Sequence, residues 1–264
     1  RAAAGCGNTG AEMRKGEEKM EHIIVEQPRP FVMTIRLNRP KARNALSKAL
    51  LVEVATALME AETDDDVRCI VLTGGEQAFS AGADIKEMPE GGIPMWGEKD
   101  RLLSWKAIEG FGKPLIAAVN GWALGGGCEL VTLCDIVIAG ENARFGSPEV
   151  KIAAFSGDGG TQRIPRIIGR TRAMYMQMTG EPIDAQTACA WGLAVEVAPV
   201  DKTVERALDI AETIAKWSPV ATRMIKQEIR MNDKMPLDES LSLERKLLLW
   251  QTEDHDEGIA AFVE

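Results

Sequence analysis

The sequence predicts an α/β fold on three observations. Short runs that are apolar on both faces recur along the first 200 residues, longer stretches with helical spacing separate them, and a closing stretch carries helical patterning with no strand. Buried strands separated by helices are parallel strands joined by crossover connections.

The elements follow in order. Phe31 to Leu37 (F-V-M-T-I-R-L) alternates as a strand and ends in the turn Asn38-Arg39-Pro40. A helix opens at Asn44-Ala45-Leu46-Ser47, with Leu46, Leu50, Leu51, Val54 and Leu58 at three- and four-residue spacing, and runs to Asp64-Asp65-Asp66. Cys69 to Thr73 is a buried parallel strand closed by Gly74-Gly75. Pro114 to Val119 is another, followed by a helix after Gly125-Gly126-Gly127 and a strand at Asp135 to Ala139.

Beyond Lys202 the strands stop. Val204, Ala207, Leu208, Ala211, Ile214 and Ala215 trace one helical face, and Ser218-Pro219 is an N-cap with proline in the first turn. A second helix carries Val220, Met224, Ile225 and Ile229, and a third starts near Asp238 with Leu241, Leu248 and Leu249. Periodicity leaves open whether this layer packs on the core or on another subunit. The expected organisation is a disordered leader or expression remnant at 1–19 with Met20, or alternatively Met13, as a start, an α/β core at 20–202 and a helical region at 203–264.

Composition narrows the function. Forty acidic against thirty-one basic residues give a net charge of -9, and no block of basic residues offsets it, so nucleic acid is not an expected partner. No apolar run is long enough for a spanning helix and no signal core opens the chain, so no membrane association is expected. Cys6, Cys69, Cys128, Cys134 and Cys189 form no C-x-x-C pair and three lie in apolar runs, which reads as a reducing, cytoplasmic setting. His22 and His255 are far apart in sequence and lack ligand spacing, so no metal is expected. Acid/base chemistry falls to carboxylates.

Glycine marks where that chemistry sits. The strand Leu115 to Val119 runs through Asn120-Gly121 to Gly125-Gly126-Gly127 and then a helix bearing Glu129. Unpaired N–H groups at a helix start suit a developing negative charge, and absent side chains let a ligand approach. Glu129, three residues after Gly126, shares its helical face. No Gly-Lys-Ser/Thr follows, so this is no phosphate-binding Walker loop. Phe79 to Ile85 is a second such loop, and Phe145-Gly146-Ser147-Pro148-Glu149 supplies a second carboxylate. Taken singly each has an ordinary reading: a turn, a helix cap at Asp84, a solvated glutamate.

Together, Leu37-Asn38-Arg39-Pro40, Phe79 through Met88, Ala117 through Leu130, Phe145 through Glu149 and Gly159-Gly160-Thr161-Gln162-Arg163 resemble the crotonase superfamily, most closely its enoyl-CoA hydratases. The resemblance covers about residues 21 to 264. It implies a spiral of repeated ββα units and a C-terminal helical trimerisation region, giving a homotrimer or a dimer of trimers. It further implies an acyl-CoA thioester substrate, no separate cofactor, and reversible hydration of a 2-trans-enoyl-CoA in fatty acid metabolism. Ala83 and Gly126 then supply the backbone oxyanion hole, with Glu129 as water-activating base and Glu149 as proton donor. The backbone at Ala81, Ala83, Asp84 and Ile85 cradles the CoA adenine, while Ala42 and Arg43 lie near its pantetheine and phosphates. The stretch between Met88 and Trp105, with Met95 and Trp96, borders the acyl pocket.

Three features depart from the family pattern. Ser156-Gly157-Asp158-Gly159-Gly160 replaces a Pro-Gly-x-Gly-Gly loop, and Asp158 reads either as a carboxylate facing the reaction centre or, preferably, as a helix cap with Gly159. Trp122 stands where smaller or phenolic rings are frequent, and the basic tail that usually helps hold CoA phosphate is not in the sequence, which points either to a weaker grip on CoA or to simple truncation. The alternatives are an enoyl-CoA isomerase, for which the Glu149 position alone suffices, another acyl-CoA enzyme of the superfamily, and, less favoured, a noncatalytic acyl-CoA or RNA binder.

Overall fold

A computed structural model describes residues 20–87, 99–231, 234–248 and 253–263. The leader at 1–19 and most of the stretch expected to border the acyl pocket, 88–98, lie outside the described residues.

Two sheets organise the chain. Strands β1 (Ile23–Arg29), β2 (Val32–Leu37), β3 (Cys69–Thr73), β5 (Leu115–Val119), β7 (Ile136–Gly140) and β10 (Glu196–Ala198) form the larger sheet in that order. β1 and β2 make an antiparallel hairpin, and the remaining neighbours are parallel. The smaller sheet holds β4 (Ala78–Ser80), β6 (Trp122–Leu124), β8 (Arg144–Gly146) and β9 (Ile183–Asp184), with β4, β6 and β8 parallel. Each of three successive units therefore places one strand in the large sheet, the next in the small sheet, and then a helical segment. That is the spiral of ββα units.

The apolar strands fit this arrangement through their alternation. All five residues of β3 and of β5 are buried. Ile70 and Leu72 face a core shared with Ala117, Val119, Phe79, Phe145 and helix α1 (Lys48–Thr63). Cys69 and Val71 point the other way, with Ile116 and Ala118, onto α7 (Thr203–Ala215). A period of two thus fills both faces. On α7, Ala207, Ala211 and Ala215 recur every four residues and are buried, so their small side chains bring the helix close to the sheet. The choice left open by periodicity is answered for this helix, which packs on the α/β core.

Helix α1 starts two residues after Leu46, because Ser47 is the N-cap and its Oγ accepts from the Leu50 N–H at 3.2 Å. The other helices are α2 (Lys99–Gly110), α3 (Gly126–Val131), α4 (Gly160–Ile168), α5 (Arg170–Thr179), α6 (Ala185–Trp191), α8 (Pro219–Met231), α9 (Leu237–Leu248) and α10 (Glu253–Val263). Charge ties α8 to the core: buried Lys226 meets Asp135 at 2.8 Å, Arg230 meets the same carboxylate at 3.1 Å, and Arg223 pairs with Glu62. Helices α8 and α10 leave Ile225, Ile229, Ile259 and Phe262 exposed along an apolar groove of about 810 Å³. Among the described residues no helix is long and apolar enough to cross a membrane.

Pattern reading does not find β1, β4, β6, β8, β9 or β10. Five of these hold two or three residues, too few for any period to register. β1 is an edge strand whose residues are mostly exposed and include Pro28, so its apolar signal is weak.

Candidate active site

The small sheet builds the site. β4, β6 and β8 lie side by side and run parallel, so the loops leaving their C-terminal ends share one edge. The loop after β4 carries Ala81 to Ala83, the loop after β6 carries Gly125 and Gly126, and the loop after β8 carries Glu149.

The two proposed N–H donors are brought together by a short parallel pairing. Leu46 donates its N–H to the Gly82 carbonyl at 2.7 Å and accepts from the Asp84 N–H at 3.3 Å. In such a bridge the residue between the two partners, Ala83, turns its own N–H away from the pairing. It turns toward Gly126: a Cβ built on Gly126 would lie 3.5 Å from the Ala83 nitrogen. Gly126 is the first residue of α3, so its N–H has no partner within the helix. Among the described residues neither N–H meets an acceptor. Gly82, with φ 95°, passes so near the next loop that a Cβ there would sit 2.7 Å from the Leu124 carbonyl oxygen.

Glu129 stands one turn into α3 and is 2% exposed. Its Oε1 accepts from the Asp158 N–H at 2.8 Å and the Gly160 N–H at 2.7 Å. Burial, reinforced by the Asp158 carboxylate, pushes its pKa up to about 7 although the two N–H bonds favour the charged form.

Glu149 lies in the 3-10 turn Pro148–Ile152. A Cβ on Gly125 would meet its Oε1 at 2.9 Å, and Gly125 itself has φ 51°, so both space and backbone conformation require glycine here. Burial raises the Glu149 pKa. Its own backbone N–H and the Ser156 hydroxyl oppose that rise, while Oε2 is buried with no hydrogen-bond partner. A cavity of about 610 Å³ opens beside Glu149, walled by Val150, Phe155, Pro165, Met174 and Met178.

Asp158 corrects the expectation of a cap. Helix α4 is entered through Gly159 at φ 104° with no side-chain cap bond. The Asp158 carboxylate instead pairs with Arg101 of α2, both being nearly buried. Burial raises the Asp158 pKa and the Arg101 charge opposes that rise.

The loop expected to cradle CoA is fastened from behind. Arg39 pairs with Asp84 at 2.9 Å and donates to the Ala45 carbonyl at 2.5 Å. Buried Asn44 accepts from the Arg39 N–H at 2.8 Å and donates to the Ala78 carbonyl at 3.0 Å, while the Ser80 hydroxyl donates to the Asn44 carbonyl at 2.8 Å. The Arg43 carbonyl accepts from the Ala81 N–H at 3.0 Å. Ala81, Ile85 and the Arg43 side chain remain exposed.

With this geometry in hand the comparisons are decisive, since residues 29–264 match the profile of the family described as enoyl-CoA hydratase/isomerase. The chain belongs to the enoyl-CoA hydratase/isomerase family. It is 46% identical to the 2,3-dehydroadipyl-CoA hydratase of Escherichia coli, covering 92% of this chain and 96% of that protein. It is 45% identical to a mitochondrial enoyl-CoA hydratase of Pongo abelii, covering 92% and 86%. Among solved structures, an enoyl-CoA hydratase from Bacillus anthracis has a TM-score of 0.87 at 39% identity, covering 92% of this chain and 96% of that one.

For this member of the hydratase/isomerase family, the fold brings Ala83, Gly126, Glu129 and Glu149 to one edge, and gathers Ala42, Arg43, Ala81, Asp84 and Ile85 beside them. Sequence reasoning missed Arg101, which sits in an ordinary charged segment 57 residues from its partner. The available signal was Asp158 itself, a carboxylate in a loop otherwise made of small residues. Arg39 was visible only as part of a turn motif and Asn44 only as the opening of a helix; in the fold both fasten the loop that carries Ala81 to Asp84.

Proposed function

We propose that this protein is an enoyl-CoA hydratase that adds water reversibly to a 2-trans-enoyl-CoA, giving a 3-hydroxyacyl-CoA. The observation that carries the reading is the pairing of two buried-side carboxyls, Glu129 and Glu149, with two partnerless N–H groups at Ala83 and Gly126. An isomerase moves a proton between carbons with one carboxyl; hydration employs two.

In this reading the thioester oxygen sits between the Ala83 and Gly126 N–H groups. Glu129 removes a proton from water as the oxygen attacks C3, the C2–C3 π electrons move to form an enolate, and Glu149 delivers a proton to C2. Fixed donors at the growing oxyanion are worth about 2.7–4 kcal/mol each, and a positioned acid or base contributes roughly 10²–10⁴-fold. The hydrogen-bond partners support this division, with burial raising both pKa values, that of Glu129 to about 7. Two N–H donors on one oxygen favour an ionised Glu129. A buried Oε2 with no donor is less costly when Glu149 carries a proton.

The exposed backbone at Ala81 and Ile85, with Ala42 and Arg43, would receive the CoA moiety, and Arg43 suits its phosphates. The apolar cavity beside Glu149 offers room for an acyl chain. No separate cofactor is needed. The exposed apolar groove of α8 and α10 supports a trimer or a dimer of trimers.

The test incubates the protein separately with crotonyl-CoA and with a 3-enoyl-CoA and identifies the products. Hydration of crotonyl-CoA, lost by roughly 10²-fold or more in folded Glu149→Gln, is the expected result. Double-bond migration without water addition, or full turnover by Glu149→Gln, would overturn it.

A further inference from the structure

The loop that supplies Asp158 does two things at once. Its backbone donates to Glu129, from the Asp158 N–H at 2.8 Å and the Gly160 N–H at 2.7 Å. Its side chain introduces another carboxylate: Asp158 Oδ2 lies 3.9 Å from where a Cβ on Gly126 would stand. The N–H of that same residue is a proposed oxyanion donor. An anion fixed there, little screened by water, opposes the negative charge of an enolate.

Arg101 answers that charge. Its guanidinium pairs with the same Oδ2, its side chain is 5% exposed, and it stands over the buried Trp105 ring at 5.6 Å. Arg163 steadies the loop by donating to the Asp158 carbonyl at 2.7 Å and pairing with Glu109 of α2 at 3.3 Å.

We infer that Arg101 and Asp158 form a charge-compensated positioning pair for the reaction centre. The Asp158 loop holds Glu129 in place, and Arg101 neutralises the Asp158 carboxylate so that it does not work against the charge forming at Ala83 and Gly126. The inference rests on the hydratase reading. Both are positioning residues, acting through Glu129 and through the field at the oxyanion rather than by touching the reacting atoms.

A merely structural ion pair behaves differently. Breaking it lowers stability, and its loss is not felt in the turnover of protein that remains folded. Compensation predicts that the unpaired carboxylate, and not the missing arginine, is the harmful element.

The experiment is a double-mutant cycle on the full chain: unmodified protein, Arg101→Met, Asp158→Asn and the double variant, each checked for folding by circular dichroism and thermal unfolding. Crotonyl-CoA hydration is followed for kcat and KM separately. Folded Arg101→Met is expected to lose about tenfold or more in kcat, with KM within about threefold of the unmodified value. Adding Asp158→Asn to it restores most of the loss.

If Arg101→Met does not fold, the pH profile of Asp158→Asn decides. The charged groups facing Asp158 are Arg101, Arg163 and Glu129, and those facing Glu129 are Asp158 and Glu149. Neutralising Asp158 removes an anion from Glu129 and leaves the Arg101 cation beside it, so the acid limb of kcat/KM moves to lower pH. Unmodified kcat in folded Arg101→Met, a double variant no better than the single, or an unmoved acid limb overturns the inference alone. No hydration by the unmodified protein overturns the hydratase reading and this inference with it.

Discussion

Replacing Glu129 by glutamine is expected to stabilise the fold at alkaline pH while abolishing hydration. The folded protein holds the Glu129 proton more tightly than an unfolded chain does, since burial lifts the pKa from the ordinary 4.5 to about 7. Between those values the folded state carries the proton and the unfolded state does not. Stability therefore falls as pH rises from 4.5, by about 1.4 kcal/mol per pH unit, and levels off above 7. The interval amounts to about 3 kcal/mol. Glutamine does not titrate, and its Oε1 can still accept from Asp158 and Gly160. Its stability curve lacks this fall.

The assay is urea unfolding of both proteins at pH 5 and pH 8, at equal protein concentration so that any association is matched. Glu149 and Asp158 are present in both, so the difference between the curves reports Glu129. The advantage of the glutamine variant should grow by about 3 kcal/mol from pH 5 to pH 8. Parallel curves would refute the argument that burial holds this carboxyl partly protonated at neutral pH.

Other consequences are more local. Gly125→Ala places a Cβ 2.9 Å from Glu149 Oε1 on a backbone with φ 51°, so it should displace Glu149 and cut hydration by about 10²-fold. Its strain should cost about 1–3 kcal/mol, read from thermal unfolding. Arg39→Met strips the charge partner from Asp84 and loosens the loop that holds Ala81 and Ala83. Steady-state kinetics should show KM for crotonyl-CoA rising more than kcat falls, and an unfolding loss of about 1–3 kcal/mol.

The sequence revealed those parts of the fold whose chemistry repeats along the chain. β3, β5 and β7 were readable because strands buried on both faces are continuous apolar runs, and α1 and α7 because their apolar stripes are long enough to show a helical period. β4, β6 and β8 were not, since three residues carry no period, although the segments that follow them carry Ala83, Gly126, Glu129 and Glu149. Glycine betrayed their ends instead: Gly82 and Gly125 exist because two loops approach too closely for side chains. Arg101 left no local trace, because only the folded chain brings α2 against the loop before α4.

The short strands also explain why the chemistry belongs to the small sheet. Long strands such as β3 and β5 are covered on both faces, whereas three-residue strands reach an open edge quickly and set their loops side by side. Crowding carboxyls at that edge is costly, and each is treated differently. Glu129 receives two backbone N–H groups, Asp158 receives the Arg101 guanidinium, and Glu149 keeps a buried oxygen with no donor among the described residues. An unserved oxygen favours the neutral acid, and a served one favours the anion. In the hydratase reading, this distribution of donors fixes Glu129 in one orientation and leaves Glu149 an open oxygen, while burial raises both pKa values so that either carboxyl can carry the proton that hydration moves.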